Sequence, residues 1–436
     1  MLNPDLKKYR AILDEQYIRK IGKVSQVVGL TIESLGPDVR LGNTCYIRAT
    51  KHSEPVLAEV VGFRSSSILL MPLGNMQGIG PGSLVEATEK PITIKVSEEL
   101  LGRVLNGLGQ PMDGKPPITS GADFAVGNKP PDPLMRNRIT QPLSLGVRTL
   151  DGLLTIGKGQ RVGIFAGSGV GKSTLMGMIA RNTSAEVNVI GLIGERGREV
   201  REFIEKDLGE EGLKRSVLII ATSDQPALVR IKAAEVATAV AEYFREQGRD
   251  VLLLMDSLTR YAMAQREVGL ATGEPPVSRG YTPSVFAVMP KLLERAGNSQ
   301  NGSVTGMYTV LVDGDDFTEP VTDTARGILD GHIVLSRKIA SRNQYPSIDV
   351  LASVSRCMSD IVDADHKRIS NEVKKLMAVY ADAEDLVNIG AYVRGNNPEI
   401  DAAVEKNPAI RRFLSQATDE KVAFDETLAM MNEIVG

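Results

Sequence analysis

Up to about residue 90, apolar positions come in short β-type runs, at 22–32, 44–48, 56–63 and 67–72. Turn residues punctuate them: Gly36-Pro37, Asn75 and Gly78-Ile79-Gly80-Pro81-Gly82. Closely spaced short strands of this kind predict a small β-barrel over 21–90. The segment 1–20 has a different period. Asn3 stands where a helix cap would, Pro4 suits a first turn, and Leu6, Tyr9 and Leu13 share one helical face. That stripe either packs on its own barrel or docks a partner protein.

From about 91 to 370 the pattern alternates between buried strands and amphipathic helices, which predicts a doubly wound parallel α/β sheet. The strand candidates are 187–193, 216–221, 251–255, 306–311 and 332–335. A long helix is expected from about Pro226 to Glu246, with Asp224 as its cap and Gly248 as its stop. The Pro- and Gly-rich passage 268–283 reads as a long loop, either a structural crossover or a functional segment. Beyond 370 the chain is expected to be a helical domain, 371–436, broken at Gly390 and Gly395.

Composition narrows the class only slightly. The 436 residues are 42% hydrophobic and 24% charged with a formal charge of −3, ordinary for a soluble globular chain. That balance gives no general attraction to nucleic acid or to an anionic membrane. Two distant cysteines, Cys45 and Cys357, and the scattered His52, His332 and His366 suggest neither a disulfide framework nor a zinc site. No signal peptide begins the sequence and no apolar run approaches a membrane span, so a cytoplasmic protein is expected.

The chemistry is concentrated at Ala166-Gly167-Ser168-Gly169-Val170-Gly171-Lys172-Ser173-Thr174. An apolar strand precedes this run and a helix pattern follows it, the context a phosphate-binding loop requires. Glycines let backbone N–H groups curl around phosphate, and the helix N-terminus adds partial positive charge. Lys172 is expected on the β- and γ-phosphates and Ser173 on Mg²⁺, with ATP as substrate. Asp256, closing the apolar run 251–255, is the second expected Mg²⁺ group. Glu195 ends a neighbouring strand and is assigned to polarise the attacking water; its charged surroundings, Gly194-Glu195-Arg196-Gly197-Arg198-Glu199, also fit an exposed ion-paired turn. No guanine-reading Asn-Lys-x-Asp segment is present, because Asn128-Lys129-Pro130-Pro131 has proline in the aspartate position. Adenine is therefore the default base.

Together these runs resemble the catalytic-subunit lineage of the rotary ATPases. Leu150-Asp151-Gly152-Leu153-Leu154-Thr155-Ile156-Gly157-Lys158-Gly159-Gln160-Arg161, leading into the phosphate loop and then Gly194-Glu195-Arg196, carries that likeness. Within the lineage the chain looks most like the flagellar type III export ATPase. The runs concerned are Ala58-Glu59-Val60-Val61-Gly62-Phe63-Arg64, Met71-Pro72-Leu73-Gly74, 260–267, 292–297 and 327–337.

The resemblance implies an N-terminal β-barrel, a RecA-like P-loop core and a helical C-terminal domain, assembled as a homohexamer with ATP sites between subunits. It implies that Arg196 and Arg260 lie near the γ-phosphate and that Tyr345 packs by the adenine. It makes Arg356 the arginine finger offered to a neighbouring subunit's site. As partners it implies a stator-like regulator on the N-terminal helix, a coiled-coil stalk in the ring's centre, and an export gate with chaperone–substrate complexes, without nucleic acid. The loop 268–283 is expected to face the central channel. On this reading the protein is peripheral at a membrane-embedded gate through its partners, as a motor for flagellar protein export. The equivalent ATPase of a virulence injectisome has the same chemistry; Gly78-Ile79-Gly80-Pro81-Gly82 favours the flagellar branch. A rotary ion-pump subunit would be expected to continue into a larger C-terminal domain. A hexameric RNA translocase would need a basic, aromatic-rich barrel, whereas this chain has no Trp, 10 Tyr and 9 Phe.

Overall fold

The computed structural model describes residues 19–50, 53–312, 314 and 316–436. The expected helix at 3–16 lies outside the described residues. The chain divides into two compact units, one reaching to Ile92 with Glu267–Pro275 and the other comprising Thr93–Arg266 and Pro276–Gly436.

In the first unit six strands, Ile21–Val28, Thr31–Leu35, Thr44–Arg48, Val56–Arg64, Ser67–Pro72 and Leu84–Ala87, close into an antiparallel barrel. The run 22–32, expected as one strand, is two. Gly29, at φ +57°, turns the chain, and Val27 and Val28 pair back onto Ile32 and Thr31. A continuous apolar run hides such a turn, because Gly29-Leu30 is only two residues long. Val24, Ile32, Cys45, Ile47, Ala58, Val60, Ile68, Leu70 and Val85 fill the interior.

The second unit is built on a sheet in the order Ile348–Ser355, Gly331–Leu335, Arg161–Ala166, Ser303–Leu311, Asp250–Asp256, Val187–Glu195, Ser216–Thr222 and Arg103–Asn106. All of these pairings are parallel except the edge strand Ile348–Ser355, which runs antiparallel to Gly331–Leu335. The central strands are covered on both faces and read as unbroken apolar runs: only the last residue of Val187–Glu195 and of Ser303–Leu311 escapes full burial. The five strand candidates all form strands in this sheet.

The long helix is Ala227–Glu246, and Gly248 at φ +83° follows its end as expected. Asp224 does not cap it. Pro226 occupies the cap position in an extended conformation with no side-chain bond, and Asp224 instead bonds Thr222. The passage 268–283 is also more ordered than expected, because helix Leu258–Thr272 continues through its first five positions before Gly273 at φ +96° ends it.

The helices Ala364–Asn388, Pro398–Leu414 and Phe424–Val435 follow. Asp363 caps the first, so the division expected at 370 falls inside one helix. Gly390 and Gly395 adopt positive φ in the turn between the first two. These helices share one continuous core with the sheet domain, in which Leu150 and Leu153 meet Val373, Phe413, Met431 and Ile434. Gly152 sits where a Cβ would lie 2.4 Å from Met431 Sδ.

Candidate active site

Strand Arg161–Ala166 is paired on both sides, which fixes the point where the chain turns out of the sheet. The turn requires left-handed backbone at Gly169 (φ +77°) and Gly171 (φ +85°), conformations that glycine adopts without a Cβ penalty. Helix Lys172–Asn182 starts directly after Gly171 with no side-chain cap. Its first-turn N–H groups therefore lack an internal acceptor, the arrangement that suits an anion. Ser168, Gly169 and Ser173 are exposed, whereas Val170 is buried, its carbonyl accepting from Ser347 Oγ at 2.6 Å.

Lys172 reaches back across the turn. Its Nζ donates to Asp256 Oδ1 at 2.6 Å and stands 3.8 Å from Glu195 Oε1. Asp256 closes the strand Asp250–Asp256 and is 4% exposed; Thr309 Oγ1, on the adjacent strand, donates to the same oxygen at 2.6 Å.

Glu195 turns inward because the register slips between Ile193 and Glu195 against the neighbouring strand. Gly194 takes φ +72° at that bulge, and a Cβ there would come within 2.9 Å of Arg260 Cβ. Burial lifts the Glu195 carboxyl to about 7, with the Asp256 charge and Glu199 adding to the rise and Lys172 opposing it. Arg196, one residue on, points the other way. It is exposed and pairs at 3.4 Å with Glu199. The alternative of an exposed ion-paired turn thus describes Arg196 but not Glu195.

Arg260 lies along Gly194, beside Glu195. Its Nε is buried and has no hydrogen-bond partner among the described residues, and its Nη1 stands 3.8 Å from Met263 Sδ. An orphaned donor at this spot is a place for an anionic oxygen. Tyr345 covers the other side of the loop: its ring atoms lie 3.3 and 3.4 Å from the position of a Cβ on Gly171, while the residue keeps 40% of its surface exposed.

The site also fits a divalent ion. Ser173 offers an exposed first-turn hydroxyl, and Asp256 a carboxylate bonded to the Lys172 ammonium of the same turn. Among the described residues no cluster of three or more His, Cys, Asp or Glu forms a metal cage. An ion here would therefore take most of its ligands from phosphate and water, as Mg²⁺ commonly does.

Three family models match the chain. Residues 24–89 match the β-barrel domain of the ATP synthase alpha/beta family, 146–355 its nucleotide-binding domain, and 362–433 the T3SS EscN ATPase C-terminal domain. The flagellum-specific ATP synthase of Bacillus subtilis is 54% identical over 96% of each chain. The type 3 secretion system ATPase of Xanthomonas euvesicatoria is 51% identical over 95% of this chain and 94% of that one. The chain belongs to the ATP synthase alpha/beta family, in its flagellar and type III secretion branch.

This export-ATPase assignment extends to the fold. The assembled ATPase EscN of enteropathogenic E. coli superposes with a TM-score of 0.90 at 45% identity, covering 95% of this chain and all of that one. EscN has also been solved in complex with its central stalk EscO, with a TM-score of 0.88 to this chain. The protein is thus an ATPase with the barrel, RecA-like core and helical domain of its family.

One sequence-assigned residue of this ATPase stands apart from the rest. Arg356 follows the antiparallel edge strand; its backbone N–H donates to Asp330 O at 3.0 Å, and Asp330 N in turn donates to Arg161 O. It is therefore level with the start of the strand whose far end opens into the phosphate loop. Its guanidinium is exposed, with one bond to Arg326 O at 3.3 Å.

The structure also adds residues that sequence reading passed over. Thr309 supports Asp256 from the next strand, and its only sequence signal was a hydroxyl inside an apolar run. Arg337 lies with Nη2 2.8 Å from the Cβ position of Gly167. Gln416 donates its backbone N–H to Tyr345 O at 2.9 Å from the helical domain; nothing local marks it.

Proposed function

We propose that this chain is the ATP-hydrolysing motor of a flagellar protein-export apparatus, acting as a homohexamer whose sites are completed between subunits. The observation that carries the reading is the distance between Arg356 and its own phosphate loop. Five or more strand residues at ~3.3 Å each separate them, roughly 16 Å, beyond the reach of an arginine side chain. An exposed arginine at the far end of an edge strand serves a neighbour's γ-phosphate or none. The assembled form of EscN supports a ring of such subunits.

In that ring Lys172 exchanges its carboxylate partners for the β- and γ-phosphate oxygens, and the N–H groups of 167–174 surround the chain of phosphates. Glu195 accepts a proton from the water as its oxygen bonds to the γ-phosphorus and the bond to the ADP oxygen breaks. The orphaned Arg260 donor stabilises the γ-phosphate charge and the neighbour's Arg356 completes it, whereas Arg196, turned to solvent against Glu199, takes no part in its own subunit's site. Ser173 and Asp256 would hold Mg²⁺, which would supply charge neutralisation to the phosphates when bound. Tyr345 flanks the adenine.

A coiled-coil stalk in the centre of the ring is supported by the EscN complex with its central stalk. The stator-like regulator at the N-terminal helix, the export gate and the chaperone–substrate complexes rest on the family resemblance. So does the facing of 268–283 toward the channel, whereas the working divisions 1–20, 21–90, 91–370 and 371–436 rest on the changing pattern along the chain, with the last boundary moved to Asp363 by the helix that starts there. No helix among the described residues is long and apolar enough to cross a membrane; a cytoplasmic ring recruited to the gate by partners rests on the family resemblance.

The test is specific ATPase activity against protein concentration, with and without Arg356→Ala. A steep rise that the variant abolishes is expected. Flat activity that survives the change sinks the shared-site motor. Loss of filament assembly, with injected-effector secretion intact, on replacing the chromosomal copy by Glu195→Gln tests the flagellar assignment.

A further inference from the structure

On the side of the site near Tyr345, the chain is tied to the helical domain through the buried Gln416. Gln416 is 5% exposed and every polar atom of its amide is engaged. Its Oε1 accepts from Arg148 N at 2.9 Å, and its Nε2 donates to Gly146 O at 2.9 Å and Glu420 O at 3.0 Å. Its backbone N–H donates to Tyr345 O at 2.9 Å. Arg148, equally buried, holds the same turn from the other side through Phe413 O at 3.0 Å, Ser415 O and the Glu420 carboxylate.

The connection continues to the phosphate-loop helix. Gly146 N and Leu145 N both donate to the buried Asp151 carboxylate, at 3.0 and 2.8 Å, and Ser144 Oγ does so at 2.8 Å. Ser144 O accepts from Ser184 N at 2.9 Å, just past the end of helix Lys172–Asn182. Tyr345, resting over Gly171, stands at the other end of that helix. A closed circuit therefore runs from the helix end through Ser144, Asp151 and Gly146 to Gln416, then through Tyr345 to the helix start. Gln416 joins its two halves, its side-chain amide bonding Gly146 O and Arg148 N and its backbone N–H bonding Tyr345 O.

We propose that Gln416 is a positioning residue for the base side of the nucleotide site, holding Tyr345 over the phosphate loop and coupling base contact to the helical domain. This rests on the reading that Tyr345 flanks the base. Because the Gln416 amide is fully bonded, losing it frees the 415–420 turn, and the Gln416 backbone N–H that holds Tyr345 O loses its fixed position with that turn. The phosphate cradle itself is untouched, since neither its N–H groups nor Lys172, which pairs with Asp256 and Glu195, bonds Gln416 or Tyr345. Affinity for the base is then lost and affinity for phosphate kept.

The experiment is steady-state ATP hydrolysis by full-length Gln416→Ala, Tyr345→Ala and the double variant, with inorganic tripolyphosphate as a base-free competitive inhibitor. Gln416→Ala is expected to raise KM for ATP about fivefold or more, the lower end of typical coupling between sites. Its kcat stays within about twofold and the inhibition constant of tripolyphosphate is unchanged. In the Tyr345→Ala background the same change adds nothing further, because the two act through one contact. Gln416→Glu keeps the acceptor for Arg148 N and the side-chain size but loses both donors. It should shift KM in the same direction, and it serves if the alanine variant does not fold.

Full additivity in the double variant overturns the proposal, as does weakening of tripolyphosphate to the same extent as ATP. If Tyr345→Ala raises KM and neither Gln416 variant does, the positioning role alone fails. If Tyr345→Ala leaves KM unchanged, the base-side reading of Tyr345 falls, and the proposal with it.

Discussion

Replacing Glu195 by Gln removes one ionisable oxygen from a cluster of three charges and keeps its shape. In the wild-type protein the carboxyl is held at about 7 by burial and by the neighbouring Asp256. Only the ionised form accepts a proton from water, so hydrolysis should fall about tenfold per pH unit below 7 and level off above 8. The variant should lose about 10²–10⁴-fold in kcat, the usual worth of a positioned base. Its residual rate should show no acidic limb near 7. ATP binding should persist, because Lys172 and the loop N–H groups remain.

A second readout follows from linkage. The folded-state value lies above the ordinary 4.5, so the nucleotide-free folded protein binds the extra proton between those two values. Glu195 thus contributes stability that is full below about 4.5 and is lost as pH rises through about 7. Glu195→Gln has no such titration, so its melting temperature relative to wild type should climb from pH 5 to pH 8. Near-normal turnover, or an acidic limb near 7 that persists in the variant, would refute the assigned role. A melting difference that shrinks with rising pH would refute the electrostatic account.

Mixing Arg356→Ala with subunits carrying Lys172→Ala should restore part of the activity that each lacks alone, because some interfaces pair a sound loop with a sound finger; no recovery in assembled mixtures counts against action in trans. Arg295 and Glu242 form a buried bidentate pair at 2.7 and 2.8 Å, so Arg295→Met should cost about 3–5 kcal/mol in denaturant unfolding by stranding Glu242. Replacing both partners with apolar residues should cost much less, and equal losses would remove the stranded-charge explanation. Gly152→Ala puts a methyl 2.4 Å from Met431 Sδ and 3.0 Å from Phe413. Overpacking there should cost about 1–3 kcal/mol by thermal melting, and an unchanged melting temperature would show that the seam can give way.

Local chemistry made much of this protein legible in its sequence. The phosphate loop is nine consecutive residues whose strand and helix flanks are equally local, so its fold and its chemistry are written in one run. Asp256 could be read because a carboxylate closing an apolar strand stands out against its neighbours. The alternation of the barrel, the parallel core and the helical end followed from periodicity, although a two-residue turn at Gly29 left too small a break to see, and Pro226 displaced Asp224 from the cap.

What the tertiary structure alone decided are relations between distant residues. A register slip at Gly194 turns Glu195 inward and leaves Arg196 in solvent, a difference of one residue that charge patterning cannot assign. Antiparallel pairing of the edge strand sends Arg356 to the far end of the sheet from its own phosphate loop. Thr309 on Asp256, and Gln416 on Tyr345, meet only because the sheet order and the helical domain bring them together. Sequence spacing encodes local conformation, whereas these contacts depend on long-range pairing that no short window contains.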